Sequence, residues 1–329
     1  MLGYLVRRLL LALFTSWAIS VLAFVIIQLP PGDYVDAYIT NLSASGSGIS
    51  VDQAQQLRLE YALDRPMYVQ YWRWLRLIFQ GDLGMAMEWQ RPVTEVIGDR
   101  LWLTMVVSLA AVALTWVVAL PIGIYSAVRP YSVADYFVTF LGFLGLAVPS
   151  FLLGLLVLYF GFRYFDTNIG GLFSAEYVSA PWSWGKLVDL LKHLPVPAVI
   201  LGIAAMAQAI RIMRANLLDE LRKPYVITAR AKGLSEWRAI LKYPVRVALN
   251  PIVSTIGWLL PVMFSGETIT AVVLNLPTIG PVLLQSLLTE DMFLASGILL
   301  ILTALTIVGT FISDPVLIWV DPRIRMERT

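Results

Sequence analysis

The sequence predicts an all-α polytopic membrane protein: six transmembrane helices, with a small helical extracytoplasmic segment after the first. Three observations lead there. Apolar side chains make up 58% of the 329 residues and charged ones only 14%. A soluble domain carries about 25% charged residues, and a single water-soluble core stops growing near ~250–300 residues. Apolar runs recur at the length of about 20 residues that a helix needs to cross a hydrocarbon layer ~30 Å thick. The basic residues gather in alternate connections, as the positive-inside rule requires.

The first run, Leu9 to Leu29, follows Arg7 and Arg8. It shares a basic start with signal peptides. It is longer than a signal h-region, however, and ends Gln28-Leu29-Pro30-Pro31 without a small-x-small cleavage site, so it is read as a retained span with its N-terminus inside. Five further runs lie at Leu101–Val128, Tyr136–Phe162, Leu194–Ile210, Leu249–Leu274 and Phe293–Val320. The fourth opens on Pro195 and Pro197, which a first helical turn tolerates. Arg211, Arg214, Arg222, Lys223, Arg230, Lys232, Arg238, Lys242 and Arg246 crowd the segment 211–247, and Arg323, Arg325 and Arg328 the end of the chain. Six spans put both of these inside; an odd number would put segment 211–247 outside.

The expected organisation is therefore an N-terminal span (1–30), an extracytoplasmic helical segment (31–100), a five-helix core (101–320) that includes the inner loop 211–247, and an inner tail (321–329). Within the outer segment, Asn41–Gly48 reads as a flexible loop. Ser50-Val51-Asp52-Gln53 has the capping-box pattern for a helix through Leu63. After Leu63-Asp64-Arg65-Pro66 a second helix is expected from Met67 to Phe79, ended by the turn Gly81-Asp82-Leu83-Gly84. Tyr68, Tyr71, Trp72 and Trp74 on that helix suit either the lipid headgroup level or contact with a partner.

Composition also excludes. A net charge of +2 rules out nucleic-acid binding driven by bulk charge. The absence of cysteine removes disulfides, thiolate metal sites and thiol nucleophiles, and one histidine, His193, gives no metal-binding pair.

The inner loop is the most informative segment. Pro224 suits a first helical turn and Gly233 a C-terminal cap, which leaves about two turns of helix between them. Its basic residues lie near its end, where the macrodipole favours them. Such a helix could lie on the membrane surface or slot into a groove on another protein, and periodicity leaves both open. Ala229-Arg230-Ala231-Lys232-Gly233-Leu234, followed by Arg246, Ala248, Leu249 and Pro251, resembles the EAA loop of binding-protein-dependent ABC importer permeases, in particular the oligopeptide/dipeptide branch. The resemblance extends over nearly the whole chain: Arg7-Arg8-Leu9-Leu10, Pro31-Gly32-Asp33, Gln70-Tyr71, Trp74-Leu75, Arg100-Leu101, Pro149-Ser150-Phe151 and Asp321-Pro322-Arg323 match in order.

What the resemblance implies is a type I ABC importer permease fold. It also implies coupling to an ATPase through residues 224–235, with Tyr225, Thr228, Ala229, Arg230, Ala231, Lys232, Gly233, Leu234 and Ser235 at the contact. The implied partners are two nucleotide-binding ATPase subunits, a second homologous permease subunit and an extracytoplasmic solute-binding protein, in the lipid bilayer of a prokaryotic inner membrane. No phosphate loop of the Gly-x-x-x-x-Gly-Lys type is present, so ATP and Mg are expected on the partner subunits, with no cofactor on this chain.

The chain departs from the branch near the end of span five. Ala271 stands where a glutamate is usual, Glu267 lies four residues earlier, and Tyr243-Pro244 replaces His-Ala. Intramembrane ionisable residues are functional candidates, which makes Glu267, with Ser265, Thr268 and Thr270, the candidate translocation path; the alternative is a hydrogen-bonded structural acid. Peptides are the default cargo and oligosaccharides the alternative. A secondary transporter would show repeated halves and an intramembrane enzyme a catalytic group set; the sequence shows neither.

Overall fold

A computed structural model describes residues 2–29, 34–36, 39, 55–56, 58–59, 62–165, 169–254 and 268–320. The expected loop 41–48, most of the expected helix 50–63, half of the fifth apolar run, and the tail 321–329 lie outside the described residues, as do Ser265 and Glu267. The protein is predominantly helical. Among the described residues four helices are long and apolar enough to cross a bilayer: Leu10–Ile27, Val93–Val128, Pro195–Leu221 and Met292–Gly309. A fifth crossing arises if the bent pair Val133–Ala147 and Ser150–Tyr164 forms one span. The chain divides into two compact units, residues 1–104 with 278–307 and residues 105–277 with 308–329.

The first unit is built around α1 (Leu2–Ile27), which packs on α2 (Met67–Phe79). The bounds of α2 are those the sequence predicts. Pro66, with φ fixed at −56° and an extended ψ of 145°, precedes its first turn, and Gly81 and Gly84 take positive φ in the turn that ends it, where Asp82 accepts the Gly84 N–H at 2.8 Å. The aromatic residues of α2 divide between two roles. Trp74 is fully buried and Tyr71 meets Phe24 edge-on at 5.4 Å and shares a hydrogen bond with Ser20, so these two hold α1. Tyr68 and Trp72 remain 68% and 65% exposed, available to headgroups or a partner. Polar pairing supports the same joint: Gln28 donates to Gln70 at 2.7 Å, and Gln70 donates to the Arg65 carbonyl at 2.8 Å.

A two-residue hairpin, β1 (Met85–Ala86) with β2 (Arg91–Pro92), leads into α3 (Val93–Val128). The same unit holds α14 (Ile279–Leu288) and the start of α15 (Met292–Val320), numbered here in chain order. Asp291, fully buried just before α15, accepts N–H groups from Met87 (2.6 Å), Glu88 (3.4 Å) and Leu294 (3.1 Å). One carboxylate thereby caps a helix and pins the hairpin turn. Burial raises its pKa to about 6 against the three hydrogen bonds, which act in the opposite direction.

In the second unit the third apolar run is not one straight helix. It consists of α4 (Val133–Ala147) and α5 (Ser150–Phe165), bent by 102° at Val148-Pro149. Pro149 lacks an N–H and pushes the residue before it out of helical geometry; Val148 has ψ 124°. After α6 (Ala175–Val178) and α7 (Trp184–His193), where buried Lys186 donates to the Ala180 carbonyl at 2.6 Å, comes α8 (Pro195–Leu221). This helix runs eleven residues past the apolar stretch that predicted it, carrying Arg211 and Arg214 within it. Four shorter helices follow: α9 (Pro224–Ala231), α10 (Glu236–Lys242), α11 (Pro244–Ala248) and α12 (Asn250–Ser254). Last comes α13 (Thr268–Val273), which packs on α5.

Large apolar side chains cover the outer faces of α1 and α4, among them Leu13, Phe14, Trp17, Phe137, Phe140 and Phe143, each more than half exposed. Continuous apolar surface on that scale is tolerable against lipid or a protein partner and is costly against water.

Candidate functional site

The loop singled out from the sequence folds as a short capped helix that packs on the helix following it. Lys223 is extended, Pro224 occupies the first helical position, and α9 ends after Ala231. The Leu234 N–H bonds to the Ala229 carbonyl and the Gly233 N–H to the Arg230 carbonyl, while Gly233 adopts φ +82°. That pairing is a Schellman motif, which satisfies the last carbonyls and stops the helix. The helix lies between Pro224 and Gly233 as expected and ends inside the coupling segment 224–235 that the resemblance implies. Lys232 to Leu234 form the cap, and Ser235 is the residue from which α10 starts.

Burial gives α9 two faces. Val226 and Ala229, three residues apart, are buried at 0% and 7%. Tyr225, Thr228, Arg230, Ala231 and Lys232 are exposed, as is Ile227 at 60%. The Tyr225 hydroxyl bonds to the Glu220 carboxylate on the last turn of α8, and Arg230 pairs with Glu236 on α10 at 2.6 Å. Both contacts fix the helix to its flanks. The outward set named from the sequence is therefore presented together, apart from the inward Ala229, the half-buried Leu234 and the exposed Ser235 beyond the cap. Sequence reasoning omitted Ile227 and the anchor Val226; the signal available was the i, i+3 spacing of Val226 and Ala229.

On the flanking helices, Met213 and Leu217 of α8 are fully buried among Ala127, Ile240, Val245, Ala248 and Ile252. This core joins α8 to α3, α10, α11 and α12. Trp237 and Leu241 turn the other way, towards an apolar groove shared with Pro121, Ile124, Tyr125 and Val138.

Close to that core lies an ion pair. Asp135, 2% exposed on the first turn of α4, accepts both Nε and Nη2 of Arg214 at 2.7 Å each. The Ser126 hydroxyl, in the last turns of α3, and the Tyr131 N–H (2.8 Å) complete its partners. Arg129, the basic residue nearest to Asp135 in sequence, does not pair with it and lies over the Tyr125 ring at 5.8 Å.

For the candidate translocation path, Ser265 and Glu267 lie outside the described residues. Thr268 is half-buried at the start of α13. Thr270 is 2% exposed and shares a 2.9 Å hydrogen bond with Ser150 at the start of α5. Those two helices meet closely, since a Cβ on Gly154 would stand 3.3 Å from Leu274.

Fold and site together define a polytopic helical membrane protein that presents a short, capped helix directly after one of its long apolar helices. The chain belongs to the family described as binding-protein-dependent transport system inner membrane component, whose model matches residues 119–326, and the N-terminal model of the same systems matches residues 1–110. It is similar to a putative peptide permease protein of Brucella ovis (35% identity, covering 99% of this chain and 100% of the relative). It is also similar to the oligopeptide transport system permease protein AppB of Bacillus subtilis (34%; 98% and 99%) and the dipeptide transport system permease protein DppB of Escherichia coli (29%; 100% and 100%). It is thus a membrane subunit of a transport system and not an enzyme.

Proposed function

We propose that this chain is one permease subunit of an ATP-driven importer of peptides. The observation that carries the coupling half of this reading is α9: a capped, two-faced helix with Tyr225, Ile227, Thr228 and Arg230 outward, seated directly after a long apolar helix. Two nucleotide-binding ATPase subunits supply ATP and Mg sites, and α9 docks in one of them. A second homologous permease subunit completes the pore. A solute-binding protein delivers cargo to a surface formed in part by residues 31–100, where Tyr68 and Trp72 of α2 stand exposed. Six spans cross the inner membrane with both termini and α9 on the cytoplasmic side, in keeping with the basic residues of segment 211–247.

Peptide cargo is supported by the names of the relatives, which refer to peptide, oligopeptide or dipeptide transport. Oligosaccharide cargo, the alternative read from the sequence, finds no support among them. ATP drives the cycle only if it binds one arrangement of the assembly more tightly than another, because a ligand with equal affinity for both shifts nothing. Glu267, with Ser265, Thr268 and Thr270, remains the candidate cargo path.

Proteoliposomes holding both permeases and both ATPases test the reading. Di- and oligopeptide uptake should require ATP and the binding protein together. Uptake by this chain with no ATPase present would overturn the proposal, and uptake of oligosaccharide in preference to peptide would overturn the cargo assignment.

A further inference from the structure

The Asp135–Arg214 pair occupies a mechanical junction. Arg214 adjoins Met213, whose side chain sits in the core that joins α8 to α10, α11 and α12. The same Met213 also holds α8 against α3, where a Cβ at Gly123 would stand 2.8 Å from Met213 Cβ and 3.1 Å from the Ile210 carbonyl oxygen. Helix α4 is held differently. It meets α8 through small residues, with positions Gly142 and Gly145 facing Ala207 and Ile203, and much of its remaining surface is exposed apolar side chain. At its first turn a single carboxylate gathers a two-pronged guanidinium from α8, a hydroxyl from α3 and a backbone N–H from the connecting turn. A forked, charge-assisted contact fixes orientation as well as distance, and a pair with a buried carboxylate and a half-buried guanidinium is better suited to register than to stability.

We propose that Asp135 and Arg214 are positioning residues for energy coupling: they pin α4 to α8, so that a displacement of α9 carried along α8 is passed to α4 and to the bend at Pro149. The inference rests on the importer reading above. With the pin removed, α9 still docks and responds to the ATPases, while α4, still packed on α8 through Gly142 and Gly145, loses its fixed register and follows less faithfully.

The test uses the complete reconstituted transporter with Asp135→Asn, Arg214→Gln, Arg214→Lys and the charge exchange Asp135→Arg with Arg214→Asp. Complex yield, ATP hydrolysis and peptide import are measured on the same preparations. The single neutral variants should assemble and hydrolyse ATP but spend about tenfold more ATP per peptide imported, the scale of a typical coupling between sites. Arg214→Lys, which keeps the charge and loses the fork, should fall between, and the charge exchange should restore most of the wild-type ratio. Unchanged stoichiometry in the neutral variants would overturn the proposal. So would a loss of import strictly proportional to a loss of assembled complex, or a charge exchange no better than either single variant. Wild-type complex that imports without ATP would instead sink the importer reading itself.

Discussion

Gly233 has φ +82°, and a Cβ there would meet nothing within 4 Å, so the residue is required by backbone conformation rather than by space. Left-handed geometry costs a branched residue about 1–2 kcal/mol, enough to unwind the Schellman cap and free the last turn of α9. Gly233→Val should therefore leave the complex assembled and abolish ATP-driven uptake in proteoliposomes. Full uptake by that variant would remove the cap from the coupling argument. Asp291 makes a second prediction at this scale. Its folded pKa of about 6 lies above the 3.8 of an unperturbed aspartate, so the folded state binds the proton more readily. The associated stability is complete below about pH 4 and is lost as pH rises through 6, on the order of 3 kcal/mol in all. Thermal midpoints of the purified protein should fall between pH 5 and pH 7, and Asp291→Asn should flatten that slope; a slope of equal size in the variant would assign the titration elsewhere. Asp135 shows what a linear reading misses at this scale. The nearest basic residue in sequence, Arg129, is six residues away, whereas the partner is 79 residues distant, on a helix whose charged end reads as loop.

Among the elements, the ones that sequence placed well are bounded by residues with a single conformational meaning. Pro66 and Gly81 bracket α2, and Pro224 and Gly233 bracket α9, each by a constraint on φ that acts within one or two residues. Elements defined by hydropathy alone were placed less well. The run through Pro149 is unbroken in apolar character, yet it holds two helices at 102°. Helix α8 continues past its apolar stretch, with Arg214 neutralised by a carboxylate on a neighbouring helix. Aromatic composition likewise could not separate Trp74, buried against α1, from Trp72, exposed two residues earlier. Helix packing gives a prediction of its own, because two glycines of α3 differ only in their surroundings. At Gly98 a Cβ meets nothing within 4 Å, and at Gly123 it stands 2.8 Å from Met213 Cβ. Gly98→Ala should raise the thermal midpoint, by the ~0.5–1 kcal/mol that alanine gains over glycine within a helix. Gly123→Ala should lower it, by the ~1–3 kcal/mol typical of overpacking. Equal shifts of one sign would mean that α3 and α8 are not in close contact there.

At the scale of the whole molecule the open question is how often the chain crosses the bilayer between α2 and α9, and the bend at Pro149 makes it answerable. If α4 and α5 together form one broken span, the chain crosses three times between Trp72 and Ile227, through α3, the bent pair and α8. If the bent pair enters and leaves on one side, it crosses only twice. Backbone polar groups freed at a break within lipid need partners from protein or a water-lined cavity, a condition either arrangement can meet. Charge separates them: with three crossings the basic segment 211–247 lies on the side of Arg7 and Arg8, and with two it lies opposite, against the positive-inside rule. The chain contains no cysteine, so single replacements can be read without background. Trp72→Cys, Trp184→Cys and Ile227→Cys all lie at exposed positions, 65%, 80% and 60% respectively. In intact cells an impermeant thiol reagent should label the first two and spare the third. Labelling of Trp72→Cys and Ile227→Cys with protection of Trp184→Cys is the signature of a re-entrant pair. It would place α9 outside the cell, beyond reach of any ATPase, and the coupling mechanism would fall with it.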